Sequence, residues 1–219
     1  MPNSIERALA AALTDPCYFG QVLIRKAGQT GFILRHRDDQ GFDGLRLFQN
    51  SEDAIEISKF DDAGNYRPLK TAPNLGRGWQ LAVVDLSDLR RSLDYFYPGR
   101  LATLVAWKEN RLKTTPLQQT LDRQSGMYRI AAKISDEQIN GVVGDFCKSD
   151  GGCLRTILWK RNESGIIPST KLPPEKFEPA HDQAIGSRPA TAAPAVIPLL
   201  CQEACNLLVA AARKVVKGE

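Results

Sequence analysis

Apolar and polar residues alternate in short runs along the first 85 residues, and turn residues bound each run. Alternation with period two is typical of half-buried strands, whereas apolar residues three or four apart indicate helices. The elements predicted in this part are a helix at 4–14, a hairpin at 18–37, a strand at 45–48, a short helix at 51–59 and a strand at 79–84. Together they predict a small mixed β-sheet in the N-terminal part of the chain.

Helical spacing dominates after residue 85. The predicted elements are helices at 85–97, 101–111, 116–124 and 199–217, a strand at 127–133, and a short strand or helix at 154–160. Ser135 and Gln138 have the spacing of a capping box, so another helix is expected to begin there and to lead towards Cys147.

Residues 162–198 interrupt this pattern, because they hold seven of the 13 prolines of the chain. Such a composition predicts an irregular segment that is extended or partly disordered. The fold class predicted from the whole pattern is α+β. A small α+β domain is expected at residues 1–88, followed at 89–219 by a mainly helical domain that contains the proline-rich segment.

Composition excludes several classes of function. Among 219 residues, the formal net charge of +4 is too small and too dispersed to indicate a nucleic-acid partner. No run of 18 apolar residues predicts a membrane span, and no leader pattern is visible, so a cytoplasmic protein is expected. The histidines, His36 and His181, are too few for a multi-histidine metal site.

Cysteine placement is the most informative feature. Cys17 stands alone, while the other four form the pairs C-x5-C and C-x3-C, which are Cys147, Cys153, Cys201 and Cys205. The first pair brackets a Gly-Gly turn, and the second would lie on one face of the predicted helix 199–217. In a reducing compartment, clustered thiols indicate metal ligands, so a tetrathiolate site is predicted and Cys17 is interpreted as a bystander.

The spacing alone favours a 4Fe-4S cluster but leaves alternatives open. Four-cysteine zinc sites usually show C-x2-4-C in both halves, which the x3 spacing satisfies and the x5 spacing does not. Iron–sulfur clusters tolerate wider and less regular spacings. A redox disulfide and unliganded buried cysteines remain further alternatives.

The cysteine spacing is similar to the 4Fe-4S motif of sirohaem-dependent sulfite and nitrite reductases, although that resemblance covers only the four cysteines. A longer resemblance spans residues 90–219. Its segments are LDRQSGMYR at 121–129, CLRTILW at 153–159 and PLLCQEACN at 198–206. These resemble the 4Fe-4S-binding domain that follows the chelatase-like domain in sirohydrochlorin cobaltochelatase-like bacterial proteins.

This resemblance implies that Cys147, Cys153, Cys201 and Cys205 bind the cluster, and that a small stabilising domain accompanies it at residues 1–88. It also implies an auxiliary role in electron transfer or redox sensing, linked to sirohaem- or cobalamin-type tetrapyrrole metabolism. The expected partner is a redox protein or a chelatase-like protein, with no nucleic acid and no membrane.

The chelatase active-site histidines have no counterpart here, which favours an accessory iron–sulfur protein over a stand-alone enzyme. The alternative function is a zinc-stapled four-cysteine interaction module without a redox role. A third reading, an enzyme in which the cluster acts as a Lewis acid, would require an open iron position, whereas all four cysteines are available as ligands.

Overall fold

A computed structural model describes most of the first half of the chain and shorter stretches of the second half. The described residues are 4–61, 63–66, 75–109, 111, 117–124, 129–142, 156–157, 160–161, 165–166, 195–197, 199–201 and 206–219. The chain divides into two compact units. The N-terminal unit comprises residues 1–105 and 183–199, and the C-terminal unit comprises residues 106–182 and 200–219.

The helices and strands follow one another along the chain as α1 (Ser4–Ala12), β1 (Cys17–Phe19), β2 (Val22–Ala27), β3 (Gly31–His36), β4 (Arg46–Phe48), α2 (Asp53–Ile57), β5 (Trp79–Val83), α3 (Leu86–Phe96), α4 (Arg100–Lys108), α5 (Leu117–Gln124), α6 (Asp136–Val142), β6 (Thr156–Ile157), β7 (Lys160–Arg161), β8 (Gly165–Ile166), β9 (Ala195–Ile197), β10 (Leu200–Cys201) and α7 (Asn206–Lys217). The fold class is α+β, as the sequence predicts. None of the helices described is long and apolar enough to cross a membrane.

The N-terminal unit contains a six-stranded mixed sheet in the order β4-β5-β3-β2-β1-β9. The pairs β4/β5 and β1/β9 are parallel, whereas the strands between them pair antiparallel. Burial alternates along β5, where Trp79, Leu81 and Val83 are buried and the residues between them are partly exposed. The predicted hairpin and the predicted mixed sheet are therefore confirmed.

Helix α3 belongs to this N-terminal unit. The Asp85 carboxylate accepts a hydrogen bond from the Asp88 N–H at 2.8 Å and caps the helix. The buried face of α3 includes Phe96, whose ring stacks on Trp79 of the sheet at 5.1 Å between centroids. This packing joins α3 to the sheet, and the first stretch of the N-terminal unit ends at Val105. The boundary after residue 88 stays a prediction of the sequence pattern.

The end of the proline-rich segment is a strand of the N-terminal sheet. Residues 195–197 form β9, which pairs in parallel with β1, Cys17 opposite Ala195 and Phe19 opposite Ile197. The sequence pattern did not predict this strand, because a three-residue edge strand between prolines shows too little alternation to be detected. Residues 167–194 lie outside the described part of the chain.

Helices α5, α6 and α7 meet in the core of the C-terminal unit. The residues buried there are Leu121, Ala131, Ile134, Ile139, Val142, Leu208, Val209 and Ala212. The predicted capping box is confirmed at the start of α6. The Ser135 N–H donates to the Gln138 side-chain oxygen at 2.9 Å, and the Gln138 N–H donates to the Ser135 hydroxyl at 3.2 Å.

The predicted strand at 127–133 is wrong for the residues described, since 130–133 form a 3-10 turn. Arg129, at a φ of 44°, is in the left-handed region and interrupts an extended chain. Ala131 and Ile134 are both buried in the core, and a separation of three residues fits a 3-10 turn better than a strand.

Candidate metal centre

The described part of the chain brings together segments that flank the two cysteine pairs. Strand β10 contains Cys201, and β6 begins three residues after Cys153. The two strands pair in parallel, with Leu200 opposite Thr156 and Cys201 opposite Ile157. A segment adjoining the first cysteine pair thus lies beside a segment that contains Cys201, the first cysteine of the second pair, although 47 residues separate Cys153 from Cys201.

The helices on the outer sides of the cysteine pairs also pack together. Helix α6 ends at Val142, five residues before Cys147, and α7 begins at Asn206, directly after Cys205. Ile139 of α6 and Leu208 of α7 are buried in the same core. Each cysteine pair is therefore bounded by elements that pack or pair with the elements bounding the other pair.

The prediction that the last helix begins at residue 199 is wrong. Residues 200–201 form β10, and α7 begins only at Asn206. Cys201 and Cys205 are therefore not one turn apart on a helix face. The pairing of Leu200 and Cys201 with β6 satisfies their backbone groups in a sheet, and this long-range contact outweighs the local helical periodicity.

The sulfur atoms of these four cysteines lie outside the part of the chain that the structure describes. Cys147, Cys153 and Cys205 are not described, and Cys201 is described through its backbone alone. Within the described part of the chain, no group of three or more His, Cys, Asp and Glu residues could hold a metal ion. The start of α7, directly after Cys205, has the partial positive charge of a helix N-terminus, which favours a thiolate or an anionic cluster nearby.

Cys17 is separate from this arrangement. It lies in β1 of the N-terminal unit, is fully buried and forms no disulfide. Burial raises the pKa of the Cys17 thiol to about 11, because the low-dielectric surroundings disfavour the thiolate. A neutral buried thiol is a poor metal ligand, which agrees with its interpretation as a bystander.

Two family models match the chain in succession. Residues 6–111 match the DR2241 stabilising domain, and residues 109–214 match a 4Fe-4S iron-sulfur cluster binding domain. The chain contains a 4Fe-4S cluster-binding domain. The order of a stabilising domain followed by a cluster-binding domain confirms the resemblance recognised in the sequence, and it extends that resemblance to the N-terminal residues.

A solved structure supports the same assignment over nearly the whole chain. The chain is similar to DR2241 from Deinococcus radiodurans, with 28% identity and a TM-score of 0.68. The crystal structure of that protein is described as multi-domain, structurally similar to chelatases and carrying two additional novel domains. The similarity covers 99% of this chain but only 41% of DR2241. No curated protein matches the chain.

The ligand chemistry of the cluster-binding domain fits the group that its family binds. Four thiolates are the usual ligand set of a 4Fe-4S cluster. The four cysteines other than Cys17 all lie within residues 109–214, the range of the family match. Within the described part of the chain, β6 and β10, which adjoin the two pairs in sequence, lie side by side. The cofactor is therefore a 4Fe-4S cluster, a choice that spacing alone had left open against zinc.

Proposed function

We propose that this protein is an auxiliary iron–sulfur protein that transfers electrons to a chelatase-like partner, or senses redox state for it, in tetrapyrrole metabolism. The observation that carries the proposal is the similarity of nearly the whole chain to 41% of DR2241, a protein described as structurally similar to chelatases. The two domains of this chain would correspond to the two additional domains of that protein. A chelatase-like protein is the proposed partner, because DR2241 is described as structurally similar to chelatases.

The residues assigned to the cluster are Cys147, Cys153, Cys201 and Cys205. When bound, the cluster supplies a centre that accepts and returns one electron. The chain's part is to hold the four thiolates at fixed positions, so that the change of charge causes little rearrangement. The β6/β10 pairing and the buried core of α5, α6 and α7 support this role, because both fix segments adjoining the ligands.

A potentiometric titration of the anaerobically purified protein tests the redox role. The visible absorbance and the electron paramagnetic resonance signal should change together in one reversible one-electron step. Reversible cycling over many rounds supports electron transfer, whereas a change in partner affinity between the oxidised and reduced forms supports sensing. Destruction of the cluster during the first reduction would contradict both roles.

The link to a chelatase-like partner has a separate test. The cluster-loaded protein is titrated calorimetrically with a purified chelatase-like protein from the same organism, and sirohydrochlorin is added in a second series. Saturable binding to the partner is expected, and it should be weaker for protein from which the cluster has been removed. A lack of binding in both forms would refute the proposed partner.

A further inference from the structure

Strand β9 of the N-terminal sheet lies close in sequence to Cys201, which is assigned to the cluster. It is the edge strand beside β1, and Cys201 follows Ile197 by four residues. The chain passes from the N-terminal unit to the C-terminal unit between Leu199 and Leu200. Contacts that hold Leu199 on the N-terminal unit therefore act one residue before β10, the strand that contains Cys201.

The Leu199 side chain packs against Gly20 and would collide with a side chain at that position. Gly20, between β1 and β2, has a φ of 61°, and a Cβ atom on it would lie 2.6 Å from Leu199 Cδ1. The same atom would lie 2.8 Å from Cζ and from Oη of Tyr97. Such contacts are far shorter than van der Waals separation, so the Leu199 side chain fits here only because Gly20 has no side chain.

Tyr97, the other residue beside Gly20, is fixed by two contacts of its own. The Tyr97 hydroxyl accepts a hydrogen bond from the Gln21 N–H at 2.9 Å, and this bond is buried. The Tyr97 ring meets Phe19 edge to face, with 5.5 Å between centroids. Phe19 lies opposite Ile197 in the β1/β9 pair. Ile197 and Leu199 are both buried to at least 97%.

Anchoring of this kind matters for a ligand site assembled from distant segments. The 47 residues between Cys153 and Cys201 must close into a loop before all four thiolates can meet. Loop closure lowers the conformational entropy of the chain and opposes assembly. A strand fixed just before Cys201 removes part of that freedom before the cluster arrives.

We propose that Gly20, Tyr97 and Leu199 are positioning residues for the cluster: the N-terminal unit binds the segment leading to Cys201 and so sets how firmly the cluster is retained. The proposal rests on cluster binding by the C-terminal domain. Because linkage is reciprocal, loading of the cluster also strengthens the docking of β9 on β1. The N-terminal domain then stabilises the cluster by holding the segment that leads to Cys201.

Gly20→Ala is the direct test, with Gly28→Ala as its matched control. Gly28 has nearly the same φ, 66°, but a Cβ atom there would meet nothing within 4 Å. The two variants therefore share the backbone strain, and only Gly20→Ala places a Cβ atom against Leu199 and Tyr97. Bleaching of the visible cluster absorbance in air should be roughly tenfold faster in Gly20→Ala than in the wild type, and unchanged in Gly28→Ala.

Leu199→Ala provides a second variant that adds no strain to the β1–β2 turn. It should also accelerate bleaching. With Trp107 and Trp159 replaced by Phe, the fluorescence of Trp79, buried in the sheet, should show that the N-terminal unit stays folded. Hydrogen exchange of the peptides containing β1 and β9 gives the reciprocal readout. Exchange should be slower in cluster-loaded wild type than in the protein stripped of its cluster.

Equal bleaching rates in wild type, Gly20→Ala and Leu199→Ala, or equal exchange of β1 and β9 with and without the cluster, would overturn the proposal. A wild-type protein that never acquires a cluster would instead refute the function on which the proposal rests. The two failures are thus distinguishable in the same set of samples.

Discussion

The buried hydrogen bond between Tyr97 and Gln21 gives a measurable prediction for the N-terminal unit. In Tyr97→Phe the Gln21 N–H loses the hydroxyl oxygen that lies 2.9 Å away. Tyr97 and Gln21 are both buried, so water does not readily replace the lost acceptor. The edge-to-face contact with Phe19 needs only the ring and is retained, which isolates the effect of the hydroxyl group.

The expected cost follows from leaving a buried donor without a partner, which is about 1–3 kcal/mol. Urea slopes of small domains are roughly 1–3 kcal/mol per molar, so the unfolding midpoint should fall by about 1 M. Trp79, stacked on Phe96 in the same unit, reports the transition by fluorescence. The measurement uses the full chain under anaerobic conditions, with Trp107 and Trp159 replaced by Phe in wild-type and variant proteins alike.

Tyr66→Phe is the matched control, because Tyr66 is 64% exposed and loses only a hydroxyl group on the protein surface. Its midpoint should stay within the equivalent of about 0.5 kcal/mol of the parent. An unchanged midpoint in Tyr97→Phe, or an equal loss in both variants, would refute the role assigned to the buried bond.

Three further predictions concern other parts of the fold. Burial lowers the pKa of His36, whose Nδ1 accepts a hydrogen bond from the Asp38 N–H at 3.2 Å. The free energy of unfolding should therefore be highest above the ordinary histidine pKa of about 6.5 and should fall as the pH drops from there to the lower pKa of the folded state. Urea midpoints measured at several pH values check this. Ser135→Ala removes the hydroxyl that accepts the Gln138 N–H, and it should destabilise the C-terminal unit by about 1 kcal/mol in thermal unfolding monitored by circular dichroism. Leu208→Ala opens a cavity in the C-terminal core and should cost about 2–5 kcal/mol in the same assay.

Each of these predictions has a contrary outcome. For His36, the acid-side loss should become shallower in His36→Gln, and an unchanged slope in that variant would contradict the assignment. Ser135→Thr keeps a hydroxyl and should behave like the wild type, so equal destabilisation by Thr and Ala would argue against the cap. Val216→Ala, at a partly buried position beside the same core, should cost less than Leu208→Ala, and the reverse order would place the core elsewhere.

Local signals were sufficient for much of the fold. The alternation of residues 31–36 and 79–83 predicts β3 and β5, because one face of each strand is buried and the other is partly exposed. The pair Ser135/Gln138 marks a helix start correctly, since capping depends only on residues within one turn. For the helix predicted at 85–97, the sequence leaves the cap open between Asp85 and Ser87, and the structure shows that it is Asp85.

The failures have a common physical cause in long-range strand pairing. Strands β9 and β10 are only three and two residues long, and their partners, β1 and β6, lie far away in the sequence. Periodicity cannot reveal such pairing, and the local pattern therefore predicts a helix at Cys201. The contact between Gly20 and Leu199 cannot be predicted from the pattern for the same reason, because the two residues are about 180 positions apart.

The prediction that Cys147, Cys153, Cys201 and Cys205 are the ligands rests on their pairing and on their separation from Cys17, both visible in the chain. Spacing could not distinguish an iron–sulfur cluster from zinc, since both metals accept four thiolates. That choice required comparison with a known cluster-binding domain.

Iron and acid-labile sulfide analysis of single-cysteine variants, purified without oxygen, tests the central claim most directly. Wild type and Cys17→Ala should each contain about four iron and four sulfide per chain. Replacement by Ser at Cys147, Cys153, Cys201 or Cys205 should greatly lower both values. A colourless wild-type protein that holds one zinc, or full cluster content in Cys205→Ser together with its loss in Cys17→Ala, would contradict the account.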